Sequence, residues 1–225
     1  MTIVAADIIR IIFVLVLSSA ALMMTQRSLS SLISIYAGQS LLLAVIAGLL
    51  FGEARIVALL FIAGLTIVSN VIVIPYVMRR VQKDIYYRRD LEFSYLSPVT
   101  SILISTALVF VVYKSFSVFL PDFSQDNLAF LGEVIGISLV LMGMLIIFSR
   151  KQMIVKIVGY LTMENGVLLF SVFIAELPFI IEVLIVIDLI ILILLSAILA
   201  FGIDSTMKEF HRKLNPLSLW FRERK

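Results

Sequence analysis

The 225-residue sequence contains no cysteine and a single histidine, His211. Without cysteine the chain has no thiolate to hold an iron–sulfur cluster or a zinc ion, and it can form no disulfide. We therefore expect this chain to bind no redox cofactor and no metal. If the protein works with a redox enzyme, electron transfer must take place in another subunit.

Charged residues are also scarce. They make up 15% of the sequence, whereas 62% of the residues are hydrophobic. A soluble globular domain has roughly a quarter charged and about 45–50% apolar residues, because its surface faces water. Here the apolar residues form runs of about twenty, the length that crosses a hydrocarbon core ~30 Å thick. The composition excludes an ordinary soluble domain and predicts an all-α, polytopic membrane bundle.

The hydropathy pattern predicts seven transmembrane helices, with boundaries good to about three residues. Pro75 and Pro98 fall near the ends of predicted helices, where a missing backbone N–H costs little. The predicted spans are residues 3–24, 29–51, 56–78, 96–113, 128–148, 154–175 and 179–203.

The basic residues predict the orientation of these spans. Of the 18 lysines and arginines, only Arg10, Arg55 and Lys114 fall on one side. The positive-inside rule then places the N-terminus outside and the C-terminus in the cytoplasm, as an odd number of spans requires. The net charge of +3 is explained by this topology and by contact with anionic lipid in a cytoplasmic (inner) membrane, and we expect no nucleic-acid partner.

The predicted spans differ in their polar content. The first four carry uncharged polar residues, while carboxylates enter the last three: Glu133 early in the fifth, Glu164 at the centre of the sixth, and Glu182 and Asp188 in the seventh. We therefore divide the chain into a four-helix accessory region, a three-helix region and a basic cytoplasmic tail, comprising residues 1–127, 128–203 and 204–225.

Two of these acids are predicted to lie level with each other near mid-membrane. Counted from a turn at Leu177 at ~1.5 Å per residue, Glu164 lies about 20 Å and Asp188 about 16 Å along adjacent antiparallel helices. A carboxyl at that depth is costly and indicates a proton or ion relay. Glu133 and Glu182, nearer the outer interface, are further relay candidates. The structural alternative is that the acids hold helices together, with Thr162 and Asn165 as bonding partners of Glu164.

Other polar and small residues predict helix contacts. Gln39 and Asn70 are expected to form interhelical hydrogen bonds rather than to bind an ion. Small residues repeat along one face of the fifth span and predict close approach of a neighbouring helix: Gly132, Gly136 and Gly143. A weaker step of the same kind lies near the end of the second span: Gly48 and Gly52.

The stretch from Lys156 to Phe170, with Met-Glu-Asn-Gly at its centre, and the following segment from Glu182 to Asp188 resemble the hydrogenase-4 component E family. The last three predicted helices are similar to the NuoK-like subunit of respiratory complex I and to the MrpC component of Mrp-type cation antiporters. By this resemblance Glu164 matches the first of two relay acids. Asp188 is the best match to the second, and Glu182 is its rival.

The resemblance implies an ion-translocating subunit without a redox centre, in the membrane arm of an energy-converting hydrogenase or formate hydrogenlyase-like complex. Its implied partners are antiporter-like and NuoH-like subunits, membrane lipid and, indirectly, a nickel–iron hydrogenase arm. Two alternatives stay open. One is a subunit of a secondary cation/proton antiporter, and the other is a structural membrane scaffold.

Overall fold

The computed structural model describes residues 3–84, 97–119, 127–150 and 153–173, together with residues 186, 187, 190, 191 and 193. These residues are helical throughout, apart from short turns, and include no strand. The helices are α1 (Ile3–Thr25), α2 (Leu29–Ala54), α3 (Val57–Thr66), a π-helical segment (Ile67–Val73), α4 (Ile74–Asp84), α5 (Pro98–Phe119), α6 (Asn127–Ser149) and α7 (Met153–Phe173).

Six of the described helical stretches are long and apolar enough to cross a membrane. They correspond to the first six predicted spans, and α5 is longer than predicted because it continues to Phe119. The seventh predicted span, residues 179–203, lies largely outside the described residues. The prediction of an all-helical, multi-pass bundle is confirmed at this level.

The turn between α1 and α2 is set by local sequence. Ser28 has an extended backbone, and its hydroxyl accepts a hydrogen bond from the Ser31 N–H at 3.2 Å. This N-cap satisfies one of the amide groups that a helix leaves without a partner in its first turn. The opposite end of α2 closes at Arg55, which adopts the left-handed conformation with φ 56° and donates its N–H to the Phe51 carbonyl. Both turns are short, so α2 runs antiparallel to α1 and to α3.

Four helices form the centre of the bundle. α1 packs on α2, α2 on α7, α7 on α6, and α6 on α1. The segment from α3 to α4 flanks α2, whereas α5 flanks α1 and α6. In their most apolar stretches, 67% of α7 residues but only 17% of α5 residues are buried. Among the described residues, the interior is therefore centred on α1, α2, α6 and α7.

Glycines allow α6 and α7 to approach closely. A Cβ built at Gly136 would lie 2.7 Å from the backbone nitrogen of Phe170, and one at Gly143 would lie 2.6 Å from the Gly159 carbonyl oxygen. The glycine face predicted for the fifth span is thus confirmed, and its partner is α7. A Cβ at Gly48 or at Gly52 would meet no atom within 4 Å, so the weaker prediction of a contact there is wrong among the described residues.

Pro98 begins α5, as predicted. Pro75 is the second residue of α4, and the chain is helical without a break from Val57 to Asp84. The helix passes through this position because the preceding turn is wound as a π-helix, Ile67–Val73. Proline inside a helix removes one N–H donor and crowds the preceding turn, and a π-turn is one way to accommodate it.

Candidate functional site: a polar cluster in the middle of the bundle

Polar side chains from three helices meet where α1, α2 and α7 pack together. The Gln39 amide nitrogen donates to the Ser19 hydroxyl at 2.9 Å and to the Val16 carbonyl at 3.3 Å. The Asn165 amide nitrogen donates to the Ser40 hydroxyl at 2.9 Å and to the Gln39 amide oxygen at 3.2 Å. Gln39, Ser40 and Asn165 are each 0% exposed. We refer to Ser19, Gln39, Ser40 and Asn165 as the polar cluster.

The polar cluster confirms one sequence prediction and corrects another. Gln39 is an interhelical hydrogen-bonding residue, as expected. Asn165, however, donates its side-chain hydrogen bonds to α2 and not to the neighbouring Glu164. The Thr162 hydroxyl donates to the Val158 carbonyl of its own helix at 2.8 Å. The hydrogen bonds donated by these two flanking residues thus go to groups other than the Glu164 carboxyl.

Glu164 lies directly beside the polar cluster in the chain and is 4% exposed. It is placed in the interior because α7 packs with one face on α6 and another on α2. An ionisable side chain at this depth costs at least ~2.5–3.5 kcal/mol on insertion scales, so its position indicates a function. Asn165, the next residue of α7, bonds to Ser40 and Gln39 of α2, so Glu164 lies at the depth of the polar cluster.

Glu133, on α6, is also buried, with 2% of its surface exposed. A Cβ built at Gly166 of α7 would meet atoms of both Gly136 and Val140 of the antiparallel helix α6. Glu164, two residues before Gly166, therefore lies roughly opposite Val140. Glu133 is therefore displaced along the bundle by roughly seven residues, about 10 Å at ~1.5 Å per residue. The two described interior acids lie at different depths. Asp188 and Glu182, the other predicted relay residues, lie outside the described residues.

Asn70 has an environment different from the interhelical hydrogen bond that the sequence predicts. Its side chain is 1% exposed, and its amide oxygen has no hydrogen-bond partner among the described residues. It belongs to the π-helical segment, which packs against α2. Hydropathy averaged along a span cannot reveal the π-turn, because it depends on residue composition and not on how the backbone is wound. Pro75 is the signal that the sequence offers.

Arg150, which the sequence presents only as a basic residue of an inner loop, is 3% exposed. Its guanidinium donates to the Met24 carbonyl at 2.8 Å and to the Gln26 carbonyl at 3.0 Å. A cation at the C-terminus of α1 is favourable because the last carbonyls of a helix lack main-chain donors. Burial lowers the pKa of the Arg150 guanidinium from its ordinary value. Arg150 thus joins α1 to α6 at the end of the bundle.

The described residues contain no group of three or more His, Asp or Glu side chains that could hold a metal ion. The fold and the site together define a multi-pass helical membrane protein with a polar interior. The chain matches no family model, no curated protein and no solved structure.

Proposed function

We propose that this protein is a seven-span subunit of an energy-converting hydrogenase or formate hydrogenlyase-like complex, related to respiratory complex I. In this proposal it contributes to proton or sodium translocation and carries no redox centre. It lies in the cytoplasmic membrane with its N-terminus outside and its C-terminus inside. Antiporter-like and NuoH-like subunits are its direct partners, and a nickel–iron hydrogenase arm is linked through them.

The observation that carries the proposal is the position of Glu164. An ionisable carboxyl in the interior of a membrane bundle is costly, and such residues are typical of proton and ion pathways. Glu164 adjoins the polar cluster and is almost fully buried. The Met-Glu-Asn-Gly motif on which the family resemblance rests contains both Glu164 and Asn165. The same short segment therefore supports the proposal through its resemblance and through its geometry.

In this mechanism Glu164 is a protonatable station, and Asp188 is the second. Glu182 is the rival for that second role, and Glu133 supplies a further station about 10 Å away along the bundle axis. Protons or ions must move between these acids. The hydroxyl and amide groups of the polar cluster both donate and accept hydrogen bonds, so they can continue a chain of hydrogen bonds from α7 to α2 and α1.

The proposal is tested by Glu164→Gln in the assembled complex. Gln has nearly the same shape as Glu but does not titrate, so the complex should assemble while ion translocation per hydrogen formed falls roughly tenfold or more. Sealed inverted vesicles with a pH-sensitive or sodium-sensitive dye give the translocation rate, and native gels give assembly. The matched control is Glu53→Gln, which neutralises an exposed acid at the end of α2. Normal translocation in Glu164→Gln would contradict the proposal.

Purification of the tagged chain separates the hydrogenase hypothesis from the antiporter hypothesis. A hydrogenase subunit should copurify with nickel and with hydrogen-forming activity in proportion to the tag. A subunit of a secondary antiporter should instead copurify with cation/proton exchange activity and without nickel. The second outcome would keep the relay role of Glu164 but assign it to a different complex.

A further inference from the structure

The π-helical segment creates a local excess of hydrogen-bond acceptors in the third span. At its end the Ile74 N–H donates to the Ser69 carbonyl, five residues earlier. The next donor in this series would be the N–H of residue 75, and proline has none. In a π-turn this N–H would bond to the Asn70 carbonyl, and in an α-turn to the Val71 carbonyl. One of these two carbonyls therefore loses the donor that position 75 normally supplies.

The side chain of Asn70 adds a second acceptor to the same turn. Its Oδ1 has no hydrogen-bond partner among the described residues, and the residue is 1% exposed. Buried polar atoms are paired in the great majority of cases, since an unpaired buried acceptor loses its bonds to water and gains none in the protein. Two neighbouring acceptors thus call for a small ligand that can donate two hydrogen bonds.

The acceptor turn lies at the depth of the polar cluster. Arg55, at the turn between α2 and α3, is about 15 residues from both Ser40 and Asn70, or roughly 22 Å along each helix. The π-helical segment packs against α2, the helix that carries Gln39 and Ser40. The third span therefore presents its acceptors level with the site at Glu164, with α2 between the two.

We propose that the π-turn at Asn70 binds a water molecule, and that this water extends the ion route from the polar cluster onto the third span. The second half of this inference rests on the function proposed for Glu164. Water fits because it donates two hydrogen bonds and needs two to four polar partners. A bare cation fits less well because the turn Ile67–Val73 contains no acidic residue to offset its loss of hydration.

Two substitutions test the two acceptors separately. Asn70→Leu keeps the side-chain volume and removes the amide. Pro75→Ala leaves Asn70 in place and returns an N–H to the turn, so that the carbonyl gains a main-chain donor. Ser69→Ala, at a buried neighbouring position, is the matched control. Each of the two test substitutions takes away a hydrogen bond that the water would make, so each should weaken its binding.

We expect Asn70→Leu and Pro75→Ala each to lower ion translocation per hydrogen formed about threefold or more, with Ser69→Ala unchanged. Pro75→Ala should at the same time raise the melting temperature, because proline is unfavourable inside a helix. A merely structural π-turn would give a more stable Pro75→Ala protein with unchanged translocation. That result, or unchanged translocation in Asn70→Leu, would overturn the extension of the ion route through this water.

A density map of the assembled complex tests the binding step independently of transport. An ordered water is expected about 2.7–3.2 Å from Asn70 Oδ1, and its absence at a resolution that shows other buried waters would overturn the inference. If this water is present while Glu164→Gln leaves translocation normal, then the proposed function fails and the water site stands. If Glu164→Gln abolishes translocation while Asn70→Leu does not, only the extension of the route fails.

Discussion

At the scale of single residues, the polar cluster shows how few side chains fix the contact between distant helices. Asn165 reaches α2 through hydrogen bonds to Ser40 and Gln39, which precede it by more than a hundred residues. In a bilayer such bonds are the main directional interaction between helices, because lipid tails are as apolar as leucine. They are worth about 0.6 kcal/mol on average and up to about 2 kcal/mol.

Asn165→Leu and Ser40→Ala should therefore be coupled. In a double-mutant cycle we expect an interaction free energy of about 0.6–2 kcal/mol, because both substitutions remove the same interhelical bond. Reversible unfolding in mixed micelles supplies the free energies of unfolding. Thr106→Ala is the control, since this exposed hydroxyl donates to its own helix at the Ile102 carbonyl. Strict additivity of Asn165→Leu and Ser40→Ala would show that their contact adds no stability.

The interior position of a polar residue is predictable from the sequence, whereas its hydrogen-bond partners are not. Gln39 and Glu164 interrupt apolar runs, and the cost of placing them in lipid indicates an interior position. The partner of Asn165 depends on which helices become neighbours, and hydropathy contains no information about that. Arg150 gives no signal at all, because a basic residue after a span is typical of an exposed inner loop.

At the scale of helices, the contact between α6 and α7 depends on small residues on both sides. Gly143 of α6 faces Gly159 and Met163 of α7, and a Cβ added at Gly143 would lie 2.6 Å from backbone atoms of both. The repeat on α6 is visible in the sequence. Its complement on α7, formed by Gly159 and Gly166, can be recognised only after the two helices are paired.

Gly143→Ala should separate these helices and destabilise the protein by about 1–3 kcal/mol, because a methyl group would overlap backbone atoms that cannot move independently. Gly48→Ala is the matched control within another span, where a Cβ meets no atom within 4 Å. That substitution should be neutral or stabilising by up to about 1 kcal/mol, since alanine favours helix more than glycine does. Free energies of unfolding in mixed micelles provide the comparison. Equal stability changes in the two variants would contradict the assigned α6–α7 contact.

At the scale of the whole molecule, the charge pattern and the helix pairing give a consistent topology. Arg150, at the end of α6, bonds to the end of α1, and Arg79 of α4 donates to the Ser34 hydroxyl near the start of α2 at 3.1 Å. These contacts place the basic segments after α1, α4 and α6 at one end of the bundle. The positive-inside rule predicts that this end faces the cytoplasm.

The absence of cysteine makes the orientation directly testable, because every introduced cysteine is the only one in the chain. Ser30→Cys and Glu53→Cys place exposed thiols at opposite ends of α2. In intact cells a membrane-impermeant maleimide should label position 53 and not position 30, and inverted vesicles should show the reverse. The unmodified chain should remain unlabelled. Labelling of position 30 from outside would contradict the predicted orientation.

The central claim is that Glu164 transfers protons or ions and does not merely hold helices together. Its most direct test is the number of ions translocated per hydrogen molecule formed, measured in sealed vesicles that contain equal amounts of assembled wild-type or Glu164→Gln complex. We predict that this ratio falls about tenfold or more in the variant. An unchanged ratio with normal assembly would contradict it.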